Sequence, residues 1–294
     1  MSETDAEPRE FRPLRRAGAR RGLGLAIGMS FVRTRDALAR GLLAVGATPN
    51  MLTVAGFGAT CVAGVCFLVG AGHLLPGGGP NAPAPISWWP LLAAVFLTLA
   101  GAMDMLDGAL ARTGSLQSRF GEVLDSFLDR CSDLAIYVGC ALHFALVGNL
   151  TYVALSLLGL SNALLTSYVK ARAENVVESC GVGYWQRGER IAAFIIAGFA
   201  GHVPAALWLT GVLPLFTVVR RVRHVRGLLS ESGKSWEPTG LMQFLTPWRH
   251  PRGSIGYDLV TGVNIAVLIA GPWVWPFLYA RSDPLRSALA GWAG

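Results

Sequence analysis

Asp104-Met105-Leu106-Asp107-Gly108-Ala109-Leu110-Ala111-Arg112, then Gly121 after an eight-residue gap, then Asp125 and Asp129 at four-residue steps, is the stretch on which this chain's reading turns. On a helix, Asp104, Asp107, Gly108 and Ala111 follow i, i+3, i+4, i+7 and share one stripe. Asp125 and Asp129 lie one turn apart on the next apolar run. A short turn over 113–118 makes the two runs antiparallel neighbours, so the four carboxylates can converge. Both runs otherwise read as membrane helix, where each carboxylate costs roughly 2.5–3.5 kcal/mol to insert. Bare, the four would also repel one another. Two divalent cations, Mg²⁺ or Mn²⁺, would compensate them, since hard oxygen ligands suit hard cations and paired metals clamp phosphoryl displacement.

The rest of the stretch suits a phosphate-bearing substrate. Gly108 and Gly121 carry no Cβ and let a ligand approach the backbone. Ala111 keeps the same face low, and Arg112 offers a planar fork to phosphate oxygens. Two other readings of the aspartates are a structural ion-pair network and the ion path of a cation transporter. The transporter does not account for Gly108, Ala111, Arg112 and Gly121.

Composition agrees with a membrane protein. The 294 residues are 52% hydrophobic and 15% charged, with a net charge of +7. Soluble domains carry about 25% charged residues. The basic residues sit beside apolar spans without a stacking platform, which points to anionic lipid headgroups and not to nucleic acid. Cys61, Cys66, Cys131, Cys140 and Cys180 show no metal-ligand clustering and read as small buried hydrophobes. Asn149-Leu150-Thr151 matches a glycosylation acceptor by chance.

Along the chain, residues 1–30 form a basic, weakly periodic tail expected to be disordered. From Ser30 an amphipathic helix is expected in the membrane interface, ended by Gly46 and Pro49, with Asn50 capping the next helix. Apolar spans are expected over Met51–Leu75, from Trp88 into the motif, over Phe120–Val147 and over Leu150–Val169. The run 191–219 breaks at Gly201-His202-Val203-Pro204 and reads as two short spans. A seventh is expected over Leu259–Tyr279. The architecture is therefore an all-α integral membrane protein: a domain over 31–226 with a six-helix core, and a C-terminal extension over 227–294. Lys and Arg concentrate in the N-terminus, the 170–190 loop and 220–252, which puts those segments and the motif on the cytoplasmic side.

The stretch 104–129 resembles the signature of the CDP-alcohol phosphatidyltransferase family, with every defining position present. The resemblance spans about 45–225. It implies an integral membrane enzyme, here of the bacterial inner membrane, that transfers the phosphatidyl group of CDP-diacylglycerol to a hydroxyl and releases CMP. It implies metal ligation by Asp104, Asp107, Asp125 and Asp129, with Asp129 also the general base. Gly108, Ala111, Arg112 and Gly121 would shape the cytidine diphosphate site, and a homodimer is implied.

Within the family, Ala39-Arg40-Gly41-Leu42-Leu43, Ala47 to Thr53 and Ser167 to Glu174 are most similar to the phosphatidylinositol phosphate synthases. That similarity implies a cationic pocket for the acceptor's phosphate, here Ser167, Lys170 and Arg172, with Arg190 and Arg221 as further candidates. Arg187, Arg220, Arg223 and Arg226 read as positive-inside anchors. The stretch 186–190 keeps only part of the charged run expected there. Inositol phosphate leads as acceptor, followed by glycerol 3-phosphate. Asp133, outside the signature, is expected to bond a neighbouring helix or Arg130.

Overall fold

The computed structural model describes residues 23–71, 87–230, 255–275, 278 and 283–293, and every regular element among them is a helix. In chain order these are α1 (Leu23–Ala44), α2 (Pro49–Val69), α3 (Trp89–Thr113), α4 (Arg119–Leu146), α5 (Leu150–Ala173), α6 (Arg187–Ala200), α7 (Val203–Val212), α8 (Pro214–Leu228), α9 (Ile255–Val274) and α10 (Pro284–Ala293). The tail up to residue 22, the Pro/Gly linker 76–86 and the basic segment 231–254 lie outside the described residues. The amphipathic helix begins at Leu23, seven residues before the expected Ser30. Among the described residues, four stretches are long and apolar enough to cross a membrane: α2, α3, α5 and the joined run Val203–Leu228.

Two compact units partition the chain, one of Met1–Gly56 with Gly101–Phe127, the other of Phe57–Ala100 with Leu128–Gly294. In the first, Gly46 adopts φ +79° and closes α1. Its N–H donates to the Leu43 carbonyl and the Ala47 N–H to Leu42, both at 3.0 Å, a Schellman ending. Pro49 then opens α2, where a missing N–H costs nothing. The cap is Thr48, whose hydroxyl accepts from the Met51 N–H at 3.4 Å. Asn50, the expected cap, sits one residue inside the helix. Ala39, Ala109 and Leu110 form a small buried core with Leu42, Leu43, Ala47 and Leu52, which ties α1 to the last turns of α3. Ser118 starts α4 by accepting the Gly121 N–H at 3.0 Å, a cap worth ~1 kcal/mol.

The second unit holds the large apolar core, with Phe67, Tyr137, Phe144, Phe194 and Leu207 among its fully buried side chains. There α2 and α4 touch backbone to backbone: a Cβ added at Gly139 would sit 2.2 Å from the Gly64 carbonyl oxygen, so only glycine fits. The break expected near 201–204 is present. Gly201 at φ +73° ends α6, and α7 begins at Val203. The second arm is longer than expected, running on through α8 to Leu228 with an interruption at Leu213-Pro214. Proline lacks the N–H that would continue the ladder there. At about 1.5 Å per residue, the 14-residue α6 is only ~21 Å long.

Asp283 joins α10 to α5. Its carboxylate accepts the N–H groups of Leu150 and Thr151, each at 3.0 Å, and the Thr151 hydroxyl at 2.6 Å. The Asn149 side chain accepts the Tyr152 N–H at 3.3 Å, so the first turn of α5 is fully capped. Asn149 is buried by this role and unsuited to glycosylation. Burial pushes the Asp283 carboxyl upward, but hydrogen bonds from Thr151 and from the N–H groups of Arg286 and Leu150 outweigh it and hold it below the usual carboxylate range. A carboxyl depressed in the folded state contributes stability above its unfolded pKa of about 4, and the contribution is lost as pH falls through the folded value. Exchange of the α10 amides, relative to their intrinsic rates, is therefore expected to become faster on acidification ahead of that of α7. In Asp283→Asn it should be fast already at neutral pH; wild-type protection of α10 in that variant would contradict the clasp.

Candidate active site

The first unit assembles most of the signature. Asp104 and Asp107 come from α3 and Asp125 from α4, and each offers a carboxylate oxygen such that all three oxygens lie within 4.8 Å of one another. Asp104 is exposed, Asp125 half-buried, and Asp107 buried. The Thr53 hydroxyl, from α2, donates to Asp107 Oδ2 at 2.8 Å and orients it. Sequence reading gave Thr53 no role. It sits five residues after the Thr48 cap, in a span that otherwise reads as plain membrane helix.

An open cleft of about 240 Å³ borders these carboxylates, and Asp107, Gly108, Ala111, Arg112, Gly121 and Asp125 line it. Six of the eight signature positions thus face one space. The two glycines can be tested for a packing role. A Cβ built at Gly108 meets only the Arg112 guanidinium, at 3.4 Å, an ordinary contact. The protein's own packing does not require glycine there. At Gly121 the added atom would crowd Ser118 Oγ at 3.0 Å and Asn50 Oδ1 at 3.2 Å, so this glycine also serves the α4 cap. Three convergent carboxylates, one of them buried and oriented, are a donor set that fits a hard divalent cation.

Asp129 belongs to the second unit, one turn beyond Asp125 on α4. Its Oδ1 pairs with Arg187 at 2.9 Å and its Oδ2 lies 3.8 Å from Arg130. Arg187, read from sequence as a positive-inside anchor, is thus the partner of the last signature carboxylate. One turn further, Asp133 pairs with Arg190 at 2.8 Å, both side chains at most 3% exposed. Asp133 therefore bonds a neighbouring helix, and the residue it finds there is Arg190, one of the acceptor-pocket candidates. Arg190 also donates to the Thr166 hydroxyl at 3.4 Å. Arg221 donates to the Thr166 carbonyl and, at 3.1 Å, to the Val182 carbonyl. The structure thus brings Arg190 and Arg221 together at Thr166. Ser167 is half-buried, Arg172 exposed, and Lys170 lies 3.9 Å from Glu174. Lys170 and Arg172 belong to the last turn of α5 and not to a loop, because α5 runs on to Ala173.

The sequence profile of the CDP-alcohol phosphatidyltransferase family matches residues 46–222. The phosphatidylinositol phosphate synthase of Mycobacterium marinum is 33% identical over 229 residues, covering 74% of this chain and 86% of its own length. The archaetidylinositol phosphate synthase of Methanothermobacter thermautotrophicus is 36% identical over 141 residues, covering 46% of this chain and 70% of its own. Among solved structures, the Mycobacterium tuberculosis phosphatidylinositol phosphate synthase with CDP-DAG bound superposes with a TM-score of 0.55 at 27% identity, covering 70% of this chain and all of that one. The same enzyme in complex with manganese and citrate gives 0.55 at 26%, covering 72% and 98%.

With these relatives, the helical fold and its carboxylate-lined cleft fall in the class of membrane transferases. The chain belongs to the CDP-alcohol phosphatidyltransferase family, and it is an integral membrane enzyme of phospholipid biosynthesis similar to the phosphatidylinositol phosphate synthases. A cation transporter loses its support with that membership. Thr53→Val is expected to weaken Mn²⁺ binding about tenfold while Thr53→Ser retains it, as for other residues that orient a metal ligand. Titration followed by electron paramagnetic resonance would show this; equal affinity in all three proteins would contradict the role of Thr53.

Proposed function

We propose that this enzyme transfers the phosphatidyl group of CDP-diacylglycerol to the hydroxyl of inositol phosphate and releases CMP. The observation that carries the reading is the cleft where Asp107 and Asp125 meet Gly108, Ala111, Arg112 and Gly121. The relatives' names favour the acceptor: the bacterial and archaeal proteins it resembles are both inositol phosphate lipid synthases. Glycerol 3-phosphate is the second reading, because it offers the same phosphate monoester to the same cations.

Asp104, Asp107 and Asp125, completed by Asp129, would hold two divalent cations, Mg²⁺ or Mn²⁺. Bound there, they would neutralise the diphosphate and the charge that develops on it. Gly108 and Gly121 let the cytidine diphosphate lie against the helices, and the Arg112 fork binds its phosphate oxygens. Asp129 takes the proton of the acceptor hydroxyl. The acceptor oxygen forms a bond to the lipid-side phosphorus as the bond to the bridging oxygen breaks and CMP leaves. Ser167, Lys170 and Arg172, with Arg190, Arg221 and Arg187, supply the positive field for the acceptor's phosphate. Arg221 supports this: it is a buried cation that donates to two backbone carbonyls and meets Arg190 at Thr166.

In the same reading α2 to α8 form the six-span core, α9 is a seventh span, and α1 lies in the interface of a bacterial plasma membrane. The site faces the cytoplasm, and the enzyme works as a homodimer. Purified protein with CDP-diacylglycerol and Mg²⁺ should release CMP fastest with inositol phosphate, more slowly with glycerol 3-phosphate, and not with inositol or serine. Chelation should stop release, and Asp129→Asn should lower it at least about 100-fold, the scale of a lost general base. Equal turnover with unphosphorylated inositol would contradict the acceptor assignment.

A further inference from the structure

The two ion pairs that tie α6 to α4 differ in how far solvent reaches them. In the inner one, Arg190 and Asp133 are 2% and 3% exposed, and Arg190 also donates to the Thr166 hydroxyl at 3.4 Å. In the outer one, three residues earlier on α6, Arg187 and Asp129 meet at 2.9 Å with 28% and 20% of their side chains exposed. Breaking a buried pair strands a charge away from water. A pair that water already reaches loses little when one member changes partner. The inner rung is therefore fixed, and the outer rung is the one able to exchange.

The outer rung also holds the carboxylate that the proposed reaction uses. Arg187 engages Asp129 Oδ1, and Oδ2 lies 3.8 Å from Arg130. An oxygen that accepts a charge-assisted hydrogen bond from a guanidinium is poorly placed to accept a hydroxyl proton. Asp129 is asked both to ligate a metal ion and to take a proton, so neither oxygen can be given to a lasting ion pair. The acceptor supplies a second anion for Arg187. Arg187 and Arg190 share the first turn of α6, and Arg190 meets Arg221 at Thr166. Residues three apart on a helix have Cβ atoms about 5–6 Å apart, within the length of an arginine side chain. A phosphate drawn to Arg190 and Arg221 therefore comes within reach of Arg187, and its several oxygens suit the guanidinium fork better than one carboxylate oxygen does.

We propose that Arg187 is a specificity-determining residue: it occupies Asp129 until the acceptor's phosphate takes the guanidinium over, and only then is Oδ1 open to the acceptor's hydroxyl proton. This rests on the reading of Asp129 as the general base and of the arginines as the acceptor-phosphate field. The phosphate thereby raises turnover as well as affinity, because an alcohol without one leaves the base engaged.

The test cuts the acceptor into two pieces. Full-length enzyme with CDP-diacylglycerol and Mg²⁺ is given inositol or glycerol, according to which phosphate ester it turns over, with and without inorganic phosphite as the detached anion. Phosphite should raise CMP release with the alcohol, measured over phosphite alone, at least about tenfold and saturably, the low end of what a general base contributes. Arg187→Met keeps the length and removes the charge. In it, release with the alcohol alone should exceed that of wild type, phosphite should add nothing, and kcat/KM for the phosphorylated acceptor should fall. A merely structural rung predicts no gain with the alcohol. The proposal is overturned if phosphite leaves wild-type release with the alcohol unchanged, a result that does not depend on how the variant folds. It is overturned equally if phosphite activates Arg187→Met as it does wild type. In either case Lys170→Gln and Arg221→Gln, still folded by thermal melt, should raise the KM for the phosphorylated acceptor if the acceptor-site reading stands. If they leave it unchanged, that reading has failed and the proposal falls with it.

Discussion

Carboxylates on apolar helices are the constraint to which the rest of this structure answers. Five aspartates fall between Asp104 and Asp133 on α3 and α4, where each is costly unless something compensates its charge. The molecule meets the cost in two ways. Asp129 and Asp133 are matched by Arg187 and Arg190 of α6, rung against rung along two helices that run the same way. Asp104, Asp107 and Asp125 are instead crowded together, where mutual repulsion makes them a poor resting arrangement without a cation. The ion pairs tie α4 to α6, and the crowded trio is a donor set that fits a divalent cation. Losing one partner of a buried pair such as Asp133–Arg190 typically costs about 3–5 kcal/mol, so the ladder resists change in a way an exposed pair would not.

The ladder also explains why a helix as short as α6 can hold a fixed place. Its first turn is tied to α4 by two ion pairs and to α9 by the Tyr257 hydrogen bond. Its far end closes at Gly201, where the chain reverses into α7. Between these ends Phe194 packs edge-on to Tyr137 at 5.3 Å. Charge sets the register of α6 at one end and close packing carries it to the other.

The helical spacing of the signature and three of the apolar spans, α2, α3 and α5, were legible in the sequence because both are local. Helical spacing puts Asp104, Asp107, Gly108 and Ala111 on one stripe whatever else the fold does. Charge-free runs set α2, α3 and α5 within a few residues. What was missed depends on partners distant in sequence. Arg187 looked like one more basic loop residue until α6 proved to start at it and face Asp129. Thr53 entered only as the end of the Ala47–Thr53 resemblance, with no role attached, since a threonine in an apolar helix commonly bonds its own backbone, as it also does here to Pro49. The Asn50 cap was off by two residues because Thr48 and Asn50 are both good cap residues, and Pro49 at the first helical position favours the one before it. The polar pins of α9 were hidden because Tyr257 and Thr261, which bond Glu189 and Tyr184, look like ordinary residues of an apolar helix.

The most direct test locates a cation. Crystals of the enzyme soaked with Mn²⁺, examined by anomalous scattering, should show an ion ligated by Asp104, Asp107 and Asp125, and the peak should vanish in Asp107→Asn. Saturating Mn²⁺ that leaves those three carboxylates without an anomalous peak, in an enzyme still active in the same metal, would contradict the account.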